Sequence, residues 1–501
     1  MERTPQVGSW SFVVAGVIVV LLYAANLIYC QHSILQLLDA AVSGYSDMHA
    51  NLMWAEGIRE QGWLNPRPYH PWTDWMQTIA PYPQWVEWWG GEQTFQQSPL
   101  YTYLLSLFMH KYLSMRILQA LLSIGTCTFI GLFTARIAGR TAGWIAFWLA
   151  ALYAPFYLYS WPFLRDGLGW FLIAALLWAL SELARQEWSA RRAAPLAWLV
   201  GTLLGLGFLA KETYLLLIPL VWAALACFAW KRRQWDIVAR VALGTVLTVS
   251  PLLIRNSLVE APLFSSSNRF AEVFISGNAG DSSPYLFSIP REMGSILYET
   301  HGRTLPLIRA IVASHPDGVR GWMRLQLLKL RSLLDPYESP DNLSFYFVEH
   351  ISPVVRFGLR YWMILPPALA GLFLGLRRHE QAHLWIWIFL PVFLAGLLIG
   401  IPVSRYRQSL MVMLIPCAAY FLAFLYGLIR RSEFRLASIC CVVLLAGWWS
   451  VLGPLSQQPR ERYERPNEYL LSVQLYHQLG DEPKAQAILD VVRQKFPGLL
   501  P

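Results

Sequence analysis

Residues 44–64 read GYSDMHANLMWAEGIREQGWL and follow soon after the first long apolar run of the chain, about 11–30. That run has the roughly 20 apolar residues needed to cross a bilayer. No small-residue cleavage site stands behind it, so it reads as an anchor rather than a removed signal. The stretch itself is too polar to cross. Its amphipathic part, about 48–61, suits a helix lying along a membrane surface. A single acid, Asp47, opens it at the boundary between the two environments.

The rest of the chain repeats this contrast. Of its 501 residues, 55% are hydrophobic and 14% charged, against about 25% charged in soluble proteins. The net charge of +9 comes from Lys and Arg gathered in short turns between apolar runs. That placement is a signal of membrane orientation, with the basic turns cytoplasmic, rather than a nucleic-acid surface. The six cysteines lie mostly inside apolar runs and show no metal-ligand spacing, so they read as small apolar residues.

Taken in order, the apolar runs predict an all-α polytopic membrane protein of about 11 transmembrane helices. The expected spans are about 11–30, 115–137, 141–159 and 167–183, then 237–253, 361–376, 383–399, 409–429 and 435–452. Residues 195–230 are expected to form two short helices that hold Lys211 and Glu212 in their outer turn, since an ion pair at mid-bilayer costs several kcal/mol. Basic turns at Arg136 and Arg140, Arg185 to Arg192, Lys231 to Arg233, Arg377 and Arg378, and Arg430 and Arg431 then share one side. A membrane domain spans 1–453. Within it lie a first outer loop (about 31–98) with amphipathic surface helices and a small external domain (about 254–358). The seven Trp between Trp54 and Trp89 fit anchoring at lipid headgroups, with stacking on a sugar as the alternative. Residues 454–501 read as an external helical hairpin, tetratricopeptide-like, broken at Gly480 and Asp481. One such unit cannot bury its own face, so it is expected to pack on the external domain.

This topology brings Asp47, His49, Arg165, Asp166, Lys211, Glu212, Arg255, Arg405 and Arg407 to one depth at the outer boundary. A carboxylate there can take a proton from a hydroxyl, and cations can stabilise a departing phosphate. Each has a plainer reading. Basic residues at helix ends snorkel toward headgroups, Asp166 can serve as a partner for Arg165 or a lysine, and Asp47 suits a helix start.

The order of motifs resembles the C-type integral membrane glycosyltransferases, specifically the family 39-like branch of protein O-mannosyltransferases and the lipid A aminoarabinose transferase. The resemblance covers about the first 430 residues. It is carried by Asp47 in GYSDMHAN, by QSPLYTYLLSLF before the second span, by Arg165–Asp166 in FLRD, and by Gly205, Gly207 and Lys211 in GLGFLAKET. RNSLVEAPLFSSSNRFAEVFISGN (255–278) and VSRYRQSLMVMLIP (403–416) complete it. The chain departs from the family at Met48, where a second acid is common, and at Gln97 and Ser98, where the aminoarabinose branch has Lys and Pro.

The resemblance implies an inverting transfer of a sugar from a polyprenyl-phosphate donor to an acceptor outside the cytoplasm, a glycan, a lipid or a protein. It makes Asp47 the general base, with Asp166 a second catalytic carboxylate. Lys211, Arg405, Arg407 and Arg165 become contacts to the lipid phosphate, and His49, Tyr101, Arg255 and Tyr406 further substrate contacts. It places the chain in a bacterial plasma membrane, among membrane lipids, with no nucleic-acid partner. No cofactor is required; a divalent metal is compatible with acids meeting a phosphate. The rival reading is a transporter or flippase of a lipid-linked sugar, which calls for charges deep in the spans and internal repeats.

Overall fold

The computed structural model describes residues 9–36, 38, 46–185, 190–375, 384–456 and 463–499. Arg377, Arg378 and the start of the 383–399 span lie outside the described residues, as do Gly44 and Tyr45 and the side chains of Arg185, Arg191 and Arg192. Among the described residues the chain is helical, with one isolated backbone bridge between Tyr153 and Leu359 in place of any strand.

Among the described residues eight helices are long and apolar enough to cross a membrane, which makes this an integral membrane protein. Their bodies are Ser9–Gln31, Tyr112–Ala138, Asp166–Arg185, Ala190–Ala210, Tyr214–Arg232, Trp235–Leu258, Ser404–Arg430 and Phe434–Leu452. Two shorter apolar helices, Tyr361–Gly375 and Leu384–Ile399, pack among them.

Two expectations change. Residues 195–230 do not fold as two short helices. The first helix begins at Ala190 and the turn takes only Lys211, Glu212 and Thr213, so both partners reach spanning length. The expected span 141–159 is broken into Arg140–Ala151 and Ala154–Leu158. Pro155 opens the second piece. The backbone freed at the break bonds to another strand of chain: Ala154 N–H donates to Leu359 O (2.8 Å) and Leu359 N–H to Leu152 O (2.7 Å). A buried break is tolerated only when its polar groups are satisfied in this way.

Glycines set the approach of the helices that carry the site. A Cβ on Gly205 would lie 2.6 Å from the Thr248 side chain, and one on Gly207 would lie 1.9 Å from the Tyr214 ring. The helix ending at Ala210 therefore lies close against both Trp235–Leu258 and its own hairpin partner.

The Trp-rich stretch also departs from interfacial anchoring. Trp54, Trp85, Trp88 and Trp89 are buried. Residues 74–77 and 82–88 form two short helices, and the last three of these tryptophans close a second apolar core with Phe274, Ile275, Met293, Ile296, Leu297, Leu307 and Ile311. Trp63 and Trp72 stay exposed. Burial wins because the two loops present apolar faces to each other. The tail forms helices Asn467–Gln478 and Glu482–Lys495. Its Tyr469 ring meets Phe347 edge-on at 4.9 Å, and Glu468 accepts from the Ser344 N–H at 2.9 Å.

Candidate active site

Helix ends from distant parts of the chain converge at the end of the bundle that carries the segment between Trp235–Leu258 and Tyr361–Gly375. Ser46 caps the Asp47–Gln61 helix, its hydroxyl accepting from His49 N–H at 3.2 Å. Asp47 is thereby the first helical residue and its carboxylate is turned to other chain segments. One oxygen accepts from Arg269 Nη1 (3.1 Å) and Gln97 Nε2 (3.2 Å). The other accepts from Arg405 Nη2 (2.7 Å) and Asn342 Nδ2 (3.2 Å).

Arg405 is the hub. It sits in the first turn of Ser404–Arg430, and its side chain is 4% exposed. Besides Asp47 it faces Asp341, 3.0 Å from Nε, and Asp166, 3.5 Å from Nε. Nη2 also donates to the Tyr406 hydroxyl at 2.6 Å. Among the described residues its Nε and Nη1 are buried with no hydrogen-bond partner. Asp166 opens the Asp166–Arg185 helix, and the Lys211 Nζ lies 3.6 Å from its other oxygen. Lys211 also donates to the Ser409 hydroxyl (3.1 Å). Next to it Arg165 Nη1 donates to Glu212 (2.7 Å), which accepts as well from the Ser98 N–H (3.0 Å).

Charges in this setting shift one another. Burial works to raise the Asp47 carboxyl, and the guanidinium groups of Arg405, Arg269 and Arg165 overcome it, holding it well below the usual carboxylate range. For Glu212 burial is likewise overridden by Arg165, which brings it down to about 2. Asp341 goes the other way: burial, reinforced by the charges of Asp47 and Asp166, raises it against the pull of Arg405. Burial also lowers the Lys211 ammonium, with Arg165 and Arg405 offsetting the attraction of Asp166.

The structure thus brings Asp47, Asp166, Arg165, Lys211, Arg405 and Tyr406 together. It places the other expected contacts elsewhere. Arg407 donates to the carbonyls of Asp335 and Tyr337 (both 3.0 Å), pairs with Glu338 (3.1 Å) and stacks over Tyr361. Arg255 donates to the carbonyls of Leu64 and Asn65 and lies over Phe95. The Tyr101 hydroxyl donates to Gln119, and the His49 ring faces Tyr69 edge-on at 6.4 Å. Two members escape a reading of the sequence by motif, Asp341 and Asn342; a third, Arg269, lies inside the 255–278 motif without being singled out there. Arg269 carries a local trace, a pair with Glu272 three residues on (2.9 Å). Asp341 and Asn342 carry none. Among the described residues no group of three or more His, Cys, Asp or Glu is arranged to hold a metal ion.

No family model matches the chain, and no curated protein matches it. Among solved structures it is similar to the Archaeoglobus fulgidus oligosaccharyltransferase in the apo form, with TM-score 0.47 and 14% identity over 96% of this chain and 60% of that one. The same archaeal enzyme tethered to an acceptor peptide containing the NVT sequon gives TM-score 0.45 and 13% identity over 96% and 59%. The oligosaccharyltransferase AglB from Archaeoglobus fulgidus, in complex with an inhibitory peptide and a dolichol-phosphate, gives TM-score 0.43 and 13% identity over 89% and 55%. The chain spans about three fifths of the length of these proteins. A likeness of this size transfers no activity.

Proposed function

We propose that the protein is a membrane glycosyltransferase of the C-type, moving a sugar from a polyprenyl-phosphate donor to a hydroxyl acceptor on the extracytoplasmic side. The observation that carries this reading is the contact of Asp47 with Arg405, 2.7 Å apart, at a guanidinium that keeps a buried Nη1 without a partner. A carboxylate and a cation with spare donor capacity are the two groups this transfer needs side by side.

In the proposed step the acceptor oxygen attacks the anomeric carbon as Asp47 takes its proton. The bond from that carbon to the phosphate oxygen breaks, its electron pair leaves with the polyprenyl phosphate, and the single displacement inverts the anomeric centre. Arg405 stabilises the departing phosphate, with Lys211 and Arg165 beside it. Asp166 then acts as a partner that orients Lys211 and Arg405. Resting Asp47 is a weak base because two arginines hold it. A donor phosphate that drew Arg405 through its open Nη1 would add negative charge nearby and raise the basicity of Asp47.

The test is to incubate purified protein with a panel of radiolabelled polyprenyl-phosphate sugars, wild type beside Asp47→Asn. Sugar transfer by the wild type that is lost in D47N supports the reading. Equal release by both proteins, or by neither with any donor, removes it.

A further inference from the structure

We infer that the exposed face of the Val319–Ser332 helix is an interfacial anchor that lies on the bilayer and binds the headgroups of anionic lipids. This helix, VRGWMRLQLLKLRS, belongs to the external domain rather than to the apolar bundle. Its inner face is settled. Leu325, Lys329 and Ser332 are buried, and Trp322 packs against the second apolar core. Its other face is not covered by the described residues. Val319 (63% exposed), Met323 (49%), Leu327 (63%) and Leu330 (42%) form an apolar stripe along it, at the three- and four-residue spacing of one helix side. Arg320, Arg324 and Arg331 flank that stripe and are exposed too. No acid lies within the helix; Asp317 stands two residues before it.

The height of the helix is fixed by the ends of two apolar helices. Lys329 Nζ donates to the carbonyls of Leu398 (2.8 Å) and Gly400 (2.9 Å), at the end of Leu384–Ile399. Arg331 Nη2 reaches the carbonyl of Pro454 (3.5 Å), two residues past the end of Phe434–Leu452. The helix therefore bridges two bundle ends at the level where hydrocarbon gives way to headgroups. An uncovered apolar stripe at that level fits the acyl boundary, and arginines beside it fit anionic headgroups. The inference does not depend on the proposed enzymatic activity, only on the apolar helices crossing the membrane.

The experiment places a photo-crosslinking benzophenone side chain at position 327, in place of leucine, in the full chain. The protein is reconstituted into nanodiscs of mixed phosphatidylcholine and phosphatidylglycerol. Irradiation is expected to give lipid adducts, with phosphatidylglycerol enriched over its share of the disc by about fivefold for each arginine engaged. R320Q combined with R324Q should lower that enrichment by about fivefold for each arginine removed while phosphatidylcholine adducts persist. No lipid adduct, an adduct to protein instead, or an enrichment unchanged in the double variant would each overturn the inference.

Discussion

Arg405 and Arg407 stand two residues apart on one helix and are both almost fully buried, at 4% and 3% side-chain exposure. Residues at this spacing point to different sides of a helix, and the two sides have different chemistry. Arg405 meets three carboxylates and a phenol, its Nε only through ion pairs, and among the described residues its Nη1 has no acceptor. Arg407 meets two backbone carbonyls, one carboxylate and the face of an aromatic ring, with only its Nε lacking an acceptor. The first arrangement is rich in charge and unfinished in hydrogen bonding. The second ties residues 335–338 to the helix and has little to offer a ligand. Burial of a cation is thus no mark of function; what matters is whether its donors are already spent.

The comparison is broken most directly at the partner of Arg405. Asp47→Asn is expected to lower the turnover of sugar transfer by about 10²- to 10⁴-fold, the usual share of a general base, with donor affinity changed far less. Steady-state kinetics with a labelled donor reads this. A D47N protein that retained wild-type turnover would make the Arg405 side as structural as the Arg407 side.

Next comes Arg407→Gln, which leaves Glu338 buried without its cation. Removing one member of a buried pair costs about 3–5 kcal/mol, so the thermal unfolding midpoint in detergent should fall sharply while the surviving protein keeps its donor KM. A raised KM at unaltered stability would erase the division between the two arginines. The opposite signature is expected of Arg405→Lys. The charge is kept but the open Nη1 is lost, and kcat/KM for the donor should drop roughly 10- to 100-fold, the worth of one charged hydrogen bond.

The smallest effect sharpens the contrast with a third buried cation, Lys329, which is bound to carbonyls and to Asn278 and has no acid partner among the described residues. Burial lowers it to about 7, whereas an unfolded lysine titrates near ~10.4. Between those values the unfolded chain binds more protons than the folded one, so stability rises with pH. The unfolding midpoint of the wild type should climb modestly from pH 7 to pH 9, and Lys329→Met should flatten that climb. A midpoint that falls equally in both proteins contradicts it.

Much of the bundle was legible because an apolar run of about 20 residues has few other uses than to cross a bilayer. The break at Leu152 and Tyr153 was not, since it is stabilised by Leu359, more than 200 residues away. The length of the hairpin around Lys211 is hidden in the sequence because Ala190 to Ala194 have the composition of a basic turn, whereas they extend the helix. At the site, Asp47, Arg165, Asp166, Lys211 and Arg405 each stand at or beside a helix end, a position that hydropathy marks. Arg269, Asp341 and Asn342 come from the polar stretch between Trp235–Leu258 and Tyr361–Gly375, where no periodicity distinguishes them from their neighbours. Arg407 and Arg255 share the depth of the cluster but face away from it, and direction around a helix axis is decided by packing partners that local spacing does not reveal.

The contact between Asp47 and Arg405 joins residues 358 positions apart. A ribosome makes the acids at 47 and 166 long before it makes that arginine, and Asp341 too precedes it. Until the Ser404–Arg430 helix is inserted, those carboxylates have no common counter-ion, only the separate pairs of Asp47 with Arg269 and of Asp166 with Lys211. Completion of the charge balance is therefore a late event in biogenesis, and a nascent chain halted before residue 405 would carry every acid of the site and none of its central cation.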